Sequence, residues 1–120
     1  MNILAVEDDK AVAQFLALVL GGPNCKVATA NNGEKALAKI DAAKKPFDVV
    51  ITDHRMPRVS GLQLVRELRA RKFSGKVVVL SAHLGENNIK AYQELGVDSL
   101  IAKPFDVDEL RKTIDALDSQ

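Results

Sequence analysis

The strongest constraint on the fold of this chain is a regular alternation between two hydrophobic periodicities. Short apolar runs of strand length alternate five times with segments whose apolar residues recur at the three- and four-residue spacing of an amphipathic helix. The apolar runs are residues 2–6, 26–30, 47–52, 76–81 and 99–102. Parallel strands need a long crossover connection, usually a helix, so this order predicts a parallel sheet.

Turn and capping residues mark the limits of the predicted helices. In chain order, these markers are the sequence GGP at 21–23 after the first helix, Asn32 and Ser60 as N-caps of the second and third, and Asp106 with Glu109 at the start of the fifth. Phe15 shares the helical spacing of the first segment. A weaker fourth helix is predicted over 88–95, where few apolar residues are available to be buried.

The first, third and fourth apolar runs are apolar on both faces. Such strands need helices on both sides of the sheet, and right-handed crossovers then produce a doubly wound arrangement. We therefore predict an α/β fold with a doubly wound five-stranded parallel sheet. The 120 residues are the length of one domain, and we expect residues 1–120 to form it.

Composition excludes several classes of protein. Seventeen basic and sixteen acidic residues give a net charge of +1, which argues against a general nucleic-acid binder. Cys25 is the sole cysteine and is expected to behave as a small buried hydrophobic residue. The start MNILAVEDD has no positively charged leader, and the longest apolar run is too short to cross a bilayer. We expect a cytoplasmic protein that does not associate with membranes.

Ligands of doubly wound sheets bind outside the carboxyl ends of the strands, so the residues at those ends are the candidate site. The second strand ends at Asn31 and Asn32, which we interpret as a helix cap and nothing more. The chemically useful residues are Glu7, Asp8 and Asp9 after the first strand, Asp53 at the end of the third, Ser81 at the end of the fourth and Lys103 at the end of the fifth.

Glu7, Asp8 and Asp53 converge if the first and third strands are neighbours. Two carboxylates 4 Å apart repel by about 4 kcal/mol at an effective dielectric near 20, so the cluster needs compensation by a proton, a cation or a basic side chain. Carboxylate oxygens are ligands that Mg²⁺ prefers, whereas zinc sites usually contain a cluster of His or Cys, which this site lacks. A metal, a lysine and a hydroxyl are also what a phosphoryl group requires. Asp53 is then the candidate nucleophile, with Ser81 and Lys103 binding phosphoryl oxygens.

Four segments together resemble the receiver domain of two-component response regulators, of the chemotaxis-regulator kind. They are ILAVEDD, VVITDHRMPRVSGLQLV, VVVLSAH and LIAKPF, and the resemblance covers essentially the whole chain. It implies a flavodoxin-like (βα)5 fold with strand order 2-1-3-4-5. It also implies that a sensor histidine kinase or a phosphotransfer protein donates a phosphoryl group to the domain in a Mg²⁺-dependent reaction.

The resemblance assigns a role to each candidate residue. It makes Asp53 the phospho-acceptor, Glu7 and Asp8 the acid pair with Asp8 as the direct metal ligand, the backbone carbonyl of Arg55 a further metal ligand, Ser81 the switch hydroxyl and Lys103 the phosphate-binding lysine. Asp9 is not expected to bind metal. The Lys103–Pro104 bond is expected to be cis, which is a minority state even before proline.

The resemblance also concerns the output of the domain. Phosphorylation is expected to shift the surface formed by the fourth helix, fifth strand and fifth helix, which an output domain or target protein of unknown identity would contact. A dimer that forms on phosphorylation is a further expectation. The only catalysis expected is that of its own phosphorylation and dephosphorylation. Leu100 departs from the family, which often has an aromatic switch residue there, and Arg55 and His83 are at positions that tune phosphoryl lifetime.

Three other functions stay open, with sequence features against each. A flavodoxin-like cofactor binder would place phosphate where Glu7 and Asp8 repel it. A phosphatase with an aspartate nucleophile would have a second Asp at position 55, where this chain has Arg55. A phosphorylation-independent interaction module would not need the intact set of acids, hydroxyl and lysine, and Mg²⁺ titration would distinguish it.

Overall fold

A parallel sheet of five strands runs through the centre of the computed structural model, which describes residues 1–118. The strands are β1 (Asn2–Val6), β2 (Lys26–Ala30), β3 (Val49–Asp53), β4 (Lys76–Ser81) and β5 (Ser99–Ala102). Their order is β2-β1-β3-β4-β5, and every neighbouring pair is parallel. The predicted fold class and strand order are confirmed.

One helix follows each strand. The helices are α1 (Lys10–Leu20), α2 (Gly33–Ala42), α3 (Gly61–Ala70), α4 (Glu86–Glu94) and α5 (Val107–Asp118). The fourth helix begins two residues before the predicted limit of 88, because its first turn is polar and its apolar signal starts only at Ile89. The third strand begins at Val49 and not at 47, because Phe47 and Asp48 lie in the connection from α2.

Side-chain caps explain where most of the helices start. Asn32 Oδ1 accepts the N–H of Lys35 at 2.7 Å, and Asp106 Oδ1 accepts that of Asp108 at 2.8 Å. Ser60 forms a reciprocal capping box with the third residue of α3. Each such cap contributes about 1 kcal/mol. The three predicted caps are confirmed, and Asp9 caps α1 in the same way.

The core lies in two layers, one on each face of the sheet. Alternate residues along the strands point to opposite faces, so Leu4 and Val50 pack against α2, α3 and α4, whereas Ile3 and Ile51 pack against α1 and α5. All four side chains are buried. Fully burying one such aliphatic side chain stabilises the fold by about 1.5–3 kcal/mol, so both layers hold the sheet between helices.

Two residues are more exposed than their types suggest. Cys25 was expected to be buried but is only half-buried, because it precedes β2, an edge strand, and packs at the margin of the core. Phe15 is 44% exposed on α1 although it shares the helical spacing of its buried neighbours. Within residues 1–118, no helix combines the length and the apolar character needed to cross a membrane.

Candidate functional site

The sheet topology brings the predicted site residues to one edge. Because β1 pairs with β3, Glu7 and Asp8 leave the sheet beside Asp53, the last residue of β3. Ser81 ends β4 and lies opposite Ala102 of β5, which places Lys103 directly beyond. Five residues from four strand ends that are far apart in sequence therefore share the carboxyl edge of the sheet, as the pattern predicted.

Three carboxylates form the acidic part of the site. Glu7, Asp8 and Asp53 each offer one oxygen, and these oxygens all lie within 4.8 Å of one another. Glu7 and Asp53 are buried, whereas Asp8 is exposed. Hard oxygen donors from a few carboxylates, with one side open to water, match the ligand preference of Mg²⁺, which keeps several waters when it binds.

Lys103 supplies the positive charge. Its Nζ lies 3.1 Å from Asp53 Oδ1 and 3.4 Å from Glu7 Oε2. Its own backbone N–H donates to the carbonyl of Ser81 at 2.8 Å, which fixes the residue to the end of β4. The peptide bond between Lys103 and Pro104 is cis, as predicted.

The electrostatics of the site follow from burial and charge. Burial raises the pKa of Glu7; the N–H of Asp9 opposes this shift and the charge of Asp53 adds to it. For Lys103, burial alone would lower the pKa, but the hydrogen bond and charge of Asp53 and the charge of Glu7 outweigh burial and raise it. Lys103 is therefore a cation at neutral pH, locked against two carboxylates.

The Ser81 hydroxyl is held by its own loop. It donates to the carbonyl oxygen of His83 at 3.0 Å and accepts the N–H of the same residue at 3.2 Å. His83 itself is exposed. The hydroxyl thus lies near Asp53 and Lys103 at the sheet edge, but both of its hydrogen bonds are to the backbone of the loop after β4.

A shallow cavity of about 250 Å³ opens between these strand ends. The residues around it are Asp53, His54, Arg55, Ser81, Ala82, His83 and Lys103. Arg55 is exposed, so its guanidinium can reach a group bound to Asp53 without first breaking a buried contact. The cavity has the acid, the hydroxyl and the lysine on its walls, and it is open to a partner from outside.

One contact at the site was not predicted. His54, directly after Asp53, forms a hydrogen bond through Nδ1 with the hydroxyl of Tyr92 on α4. Burial lowers the pKa of His54, which favours the neutral imidazole. Sequence spacing cannot reveal this pair, because 38 residues separate the partners and only the packing of α4 on the sheet brings them together.

Comparison with known proteins decides the family. A sequence model of the response regulator receiver domain matches residues 3–115. The chain belongs to this family. The matched segment includes all five strands except the first residue of β1, every candidate site residue and most of α5. The domain is thus a signalling module of two-component response regulators, whose standard mechanism is phosphorylation on an aspartate.

Curated relatives agree with this assignment. The receiver domain is 35% identical over 116 residues to the response regulator ArlR of Staphylococcus epidermidis, and the match covers 97% of this chain and 52% of the relative. ArlR of Staphylococcus aureus is 34% identical with the same coverage. The chain spans about half the length of the curated relatives it matches.

Solved structures show the same fold. The chemotaxis protein CheY4 of Vibrio cholerae superposes with a TM-score of 0.87 at 28% identity, covering 97% of both chains. The response regulator TrrA of Thermotoga maritima, solved in complex with Mg²⁺–BeF, has a TM-score of 0.84 at 31% identity, again covering 97% of both chains. These likenesses extend over nearly the whole receiver domain.

Proposed function

We propose that residues 1–120 form one receiver domain in which Asp53 accepts a phosphoryl group from the phosphohistidine of a sensor histidine kinase or phosphotransfer protein. The observation that carries the proposal is the bridge that Lys103 Nζ makes to Asp53 and Glu7, at 3.1 and 3.4 Å, beside the acid cluster. A carboxylate nucleophile needs a nearby cation when it attacks a phosphoryl group that is itself negative.

The transfer step uses the residues of the site in defined roles. An oxygen of Asp53 attacks phosphorus, the bond from phosphorus to the donor nitrogen breaks, and the nitrogen leaves with the electron pair. Lys103 stays beside the phosphoryl oxygens and neutralises part of their charge. The Ser81 hydroxyl turns from the carbonyl of His83 to a phosphoryl oxygen, since that oxygen is the more strongly charged acceptor.

The donor set of this site fits Mg²⁺. Glu7, Asp8, Asp53 and the backbone carbonyl of Arg55 would hold the ion, and when bound it would neutralise phosphoryl oxygens. Asp9 is not among the proposed ligands, and its Oδ1 accepts the N–H of Ala11 at 2.9 Å as part of the α1 cap. This capping role of Asp9 supports a ligand set that includes Glu7 and Asp8 but not Asp9.

The proposed output is a change in the surface that α4, β5 and α5 present to an output domain or target protein. The receiver domain would catalyse only its own phosphorylation and dephosphorylation. It would act in the cytoplasm, without contacting membranes or nucleic acid itself, and phosphorylation would favour a dimer. The greater length of the ArlR relatives supports an effector beyond the receiver domain in such proteins.

Acetyl phosphate tests the proposed chemistry. Incubation with acetyl phosphate and MgCl₂ should add the mass of one phosphoryl group to the intact protein, and Asp53→Asn should abolish the addition. Asp9→Asn is the matched control, because asparagine also caps helices well and the residue lies outside the proposed ligand set. Modification that persists in Asp53→Asn would show that another residue is the acceptor.

A further inference from the structure

The imidazole of His54 contacts α4 at two positions. Its Nδ1 shares a hydrogen bond with the hydroxyl of Tyr92, and the two rings pack edge to face with centroids 5.5 Å apart. Its Nε2 lies 3.5 Å from Nδ2 of Asn88, one helical turn earlier on α4. The residue after the proposed phospho-acceptor is thus joined directly to the helix of the proposed output surface.

His54 is also fixed to the strand that carries Asp53. Its backbone N–H donates to the carbonyl of Leu80 on β4 at 3.0 Å, and its carbonyl accepts the N–H of Gly61 at the start of α3 at 2.9 Å. The backbone is therefore held from both sides. A displacement of the backbone at Asp53 should therefore move the imidazole of His54 as well, because the two residues are consecutive at a hydrogen-bonded strand end.

Tyr92 attaches α4 to the core of the domain. All nine residues of α4 are described, and Tyr92 alone among them is buried. The N-cap of the helix, Gly85, provides no side-chain hydrogen bond. A buried phenol hydroxyl needs a polar partner, and His54 is that partner. The position of the imidazole therefore limits where α4 can rest.

The site could also be coupled to α4 through Ser81 and Leu100 of β5, but the side chains along this second route are loosely packed. Leu100 stands where the family often has an aromatic residue, and it is only half-buried. With Ser81, Leu84 and Ile89 it lines a cavity of about 300 Å³ between β4, β5 and α4. Side chains that border a cavity lack contacts on one side, so a movement of Ser81 is transmitted poorly to α4 through Leu100.

We propose that the hydrogen bond between His54 and Tyr92 couples the phosphorylation state of Asp53 to the position of α4. This inference rests on the proposed function, because it requires Asp53 to carry the phosphoryl group. Phosphorylation replaces the single charge of the Asp53 carboxylate beside the imidazole with a bulkier phosphoryl group that carries about 1.5 to 2 negative charges. The phosphoryl group displaces the imidazole of His54, and Tyr92 moves with it because the two share a hydrogen bond. The equilibrium between positions of α4 then shifts. His54 and Tyr92 are positioning residues and not catalytic ones.

Tyr92→Phe tests the coupling, since it removes only the hydroxyl and leaves the ring in the core. The measurement is hydrogen exchange of the peptide spanning 86–95, with and without beryllium fluoride and Mg²⁺ as a stand-in for the phosphoryl group. Wild-type protein should change its exchange on loading, and Tyr92→Phe should reduce that change at least about threefold. The rate of acetyl phosphate incorporation should stay within about twofold of wild type.

Thr113→Val is the matched control, because it removes a hydroxyl hydrogen bond, to the carbonyl of Glu109 at 2.9 Å, from α5, which packs on the opposite face of the sheet from α4. It should leave the response of α4 intact. His54→Leu gives an independent test if Tyr92→Phe fails to fold by circular dichroism. In the double variant of His54→Leu and Tyr92→Phe, the change in hydrogen exchange of α4 on loading should be no smaller than in either single variant, because both substitutions remove the same hydrogen bond. Loss of stability alone would instead make the two effects add.

The outcomes separate this inference from the proposed function. If wild-type protein takes up no phosphoryl group, the proposed function is wrong and the coupling with it. If wild-type protein is modified but Tyr92→Phe keeps the full response of α4, or α4 does not respond at all, only the coupling is wrong. A reduced response with normal incorporation supports both.

Discussion

At the scale of single residues, the site is defined by an imbalance of charge around Lys103. Carboxylate oxygens 4.8 Å apart, the upper limit within the cluster, repel by about 3.5 kcal/mol per pair at an effective dielectric near 20. The two contacts of Lys103 each attract by about 5 kcal/mol on the same scale. The three repulsions between carboxylates and the two attractions to Lys103 are similar in total energy. Three negative charges and one positive charge nevertheless leave a formal charge of −2. A bound divalent cation would neutralise it.

Arg55 belongs to the same scale, because its side chain is exposed beside the cavity while its backbone carbonyl is the proposed ligand. Its guanidinium should restrain the water that attacks the phosphoryl group. Arg55→Ala, which keeps the backbone carbonyl, is therefore expected to speed loss of the phosphoryl group about fivefold, equivalent to roughly 1 kcal/mol for an exposed charged contact. The decay of the added mass after removal of acetyl phosphate measures this rate.

Arg111→Ala makes the same change of charge on α5, beside Met1 at the opposite end of the sheet, and should leave the decay rate unchanged. An unchanged rate in Arg55→Ala would contradict the proposed role of Arg55 as a brake. An equal acceleration in both variants would show that net charge, and not position, controls the lifetime.

At the scale of elements, the junction between β3 and α3 holds Asp53, the proposed phospho-acceptor, in place. Gly61 begins α3, and a Cβ added there would collide with the backbone carbonyl oxygen of Asp53 and with Cα of His54. These two nearest obstacles are backbone atoms, and the Tyr92 hydroxyl would be the next, at 3.0 Å. The helix can therefore approach the end of the strand this closely only with glycine at its first residue.

Gly61→Ala is expected to destabilise the fold by about 1–3 kcal/mol, the usual cost of overpacking, and to slow phosphorylation because Asp53 shifts. Chemical denaturation and the acetyl phosphate assay measure the two effects. Gly22→Ala is the control, since no atom lies within 4 Å of a Cβ added there. If Gly61→Ala behaves like Gly22→Ala in both assays, the close approach does not constrain the site.

At the scale of the whole molecule, the arrangement of strands links folding to the binding of metal. Two of the three carboxylates directly follow β1 and the third ends β3, and these strands meet only in the folded state, so Mg²⁺ should bind the native domain and not the unfolded chain. At ten times its dissociation constant the ion should add about 1.4 kcal/mol to the free energy of unfolding. Thermal unfolding with and without MgCl₂ should show a rise of a few degrees.

Asp8→Asn should lose most of this stabilisation, whereas Glu34→Gln, which removes an exposed acid from the first turn of α2, should keep it. Potassium chloride at matched ionic strength separates specific binding from screening. A rise in the midpoint that survives in Asp8→Asn, or that the potassium salt reproduces, would place the ion elsewhere or remove the case for a bound ion.

The sequence by itself determined the fold class, the strand order by resemblance, and the set of residues at the carboxyl edge. It could do so because hydrophobic period, caps such as Asn32 and Ser60, and strand-end residues are local signals, and the doubly wound topology then maps strand ends to one place. The spacing of Glu7, Asp8 and Asp53 within 4.8 Å agrees with that mapping.

Only the tertiary structure decided how the site is connected. The exposure of Phe15 and Cys25, the turn of the Ser81 hydroxyl toward its own loop, and the contact between His54 and Tyr92 depend on how helices pack on the sheet. Periodicity reports which face of an element is apolar but not which side chain of another element meets it. Packing of α4 over the end of β3 made His54 and Tyr92 partners.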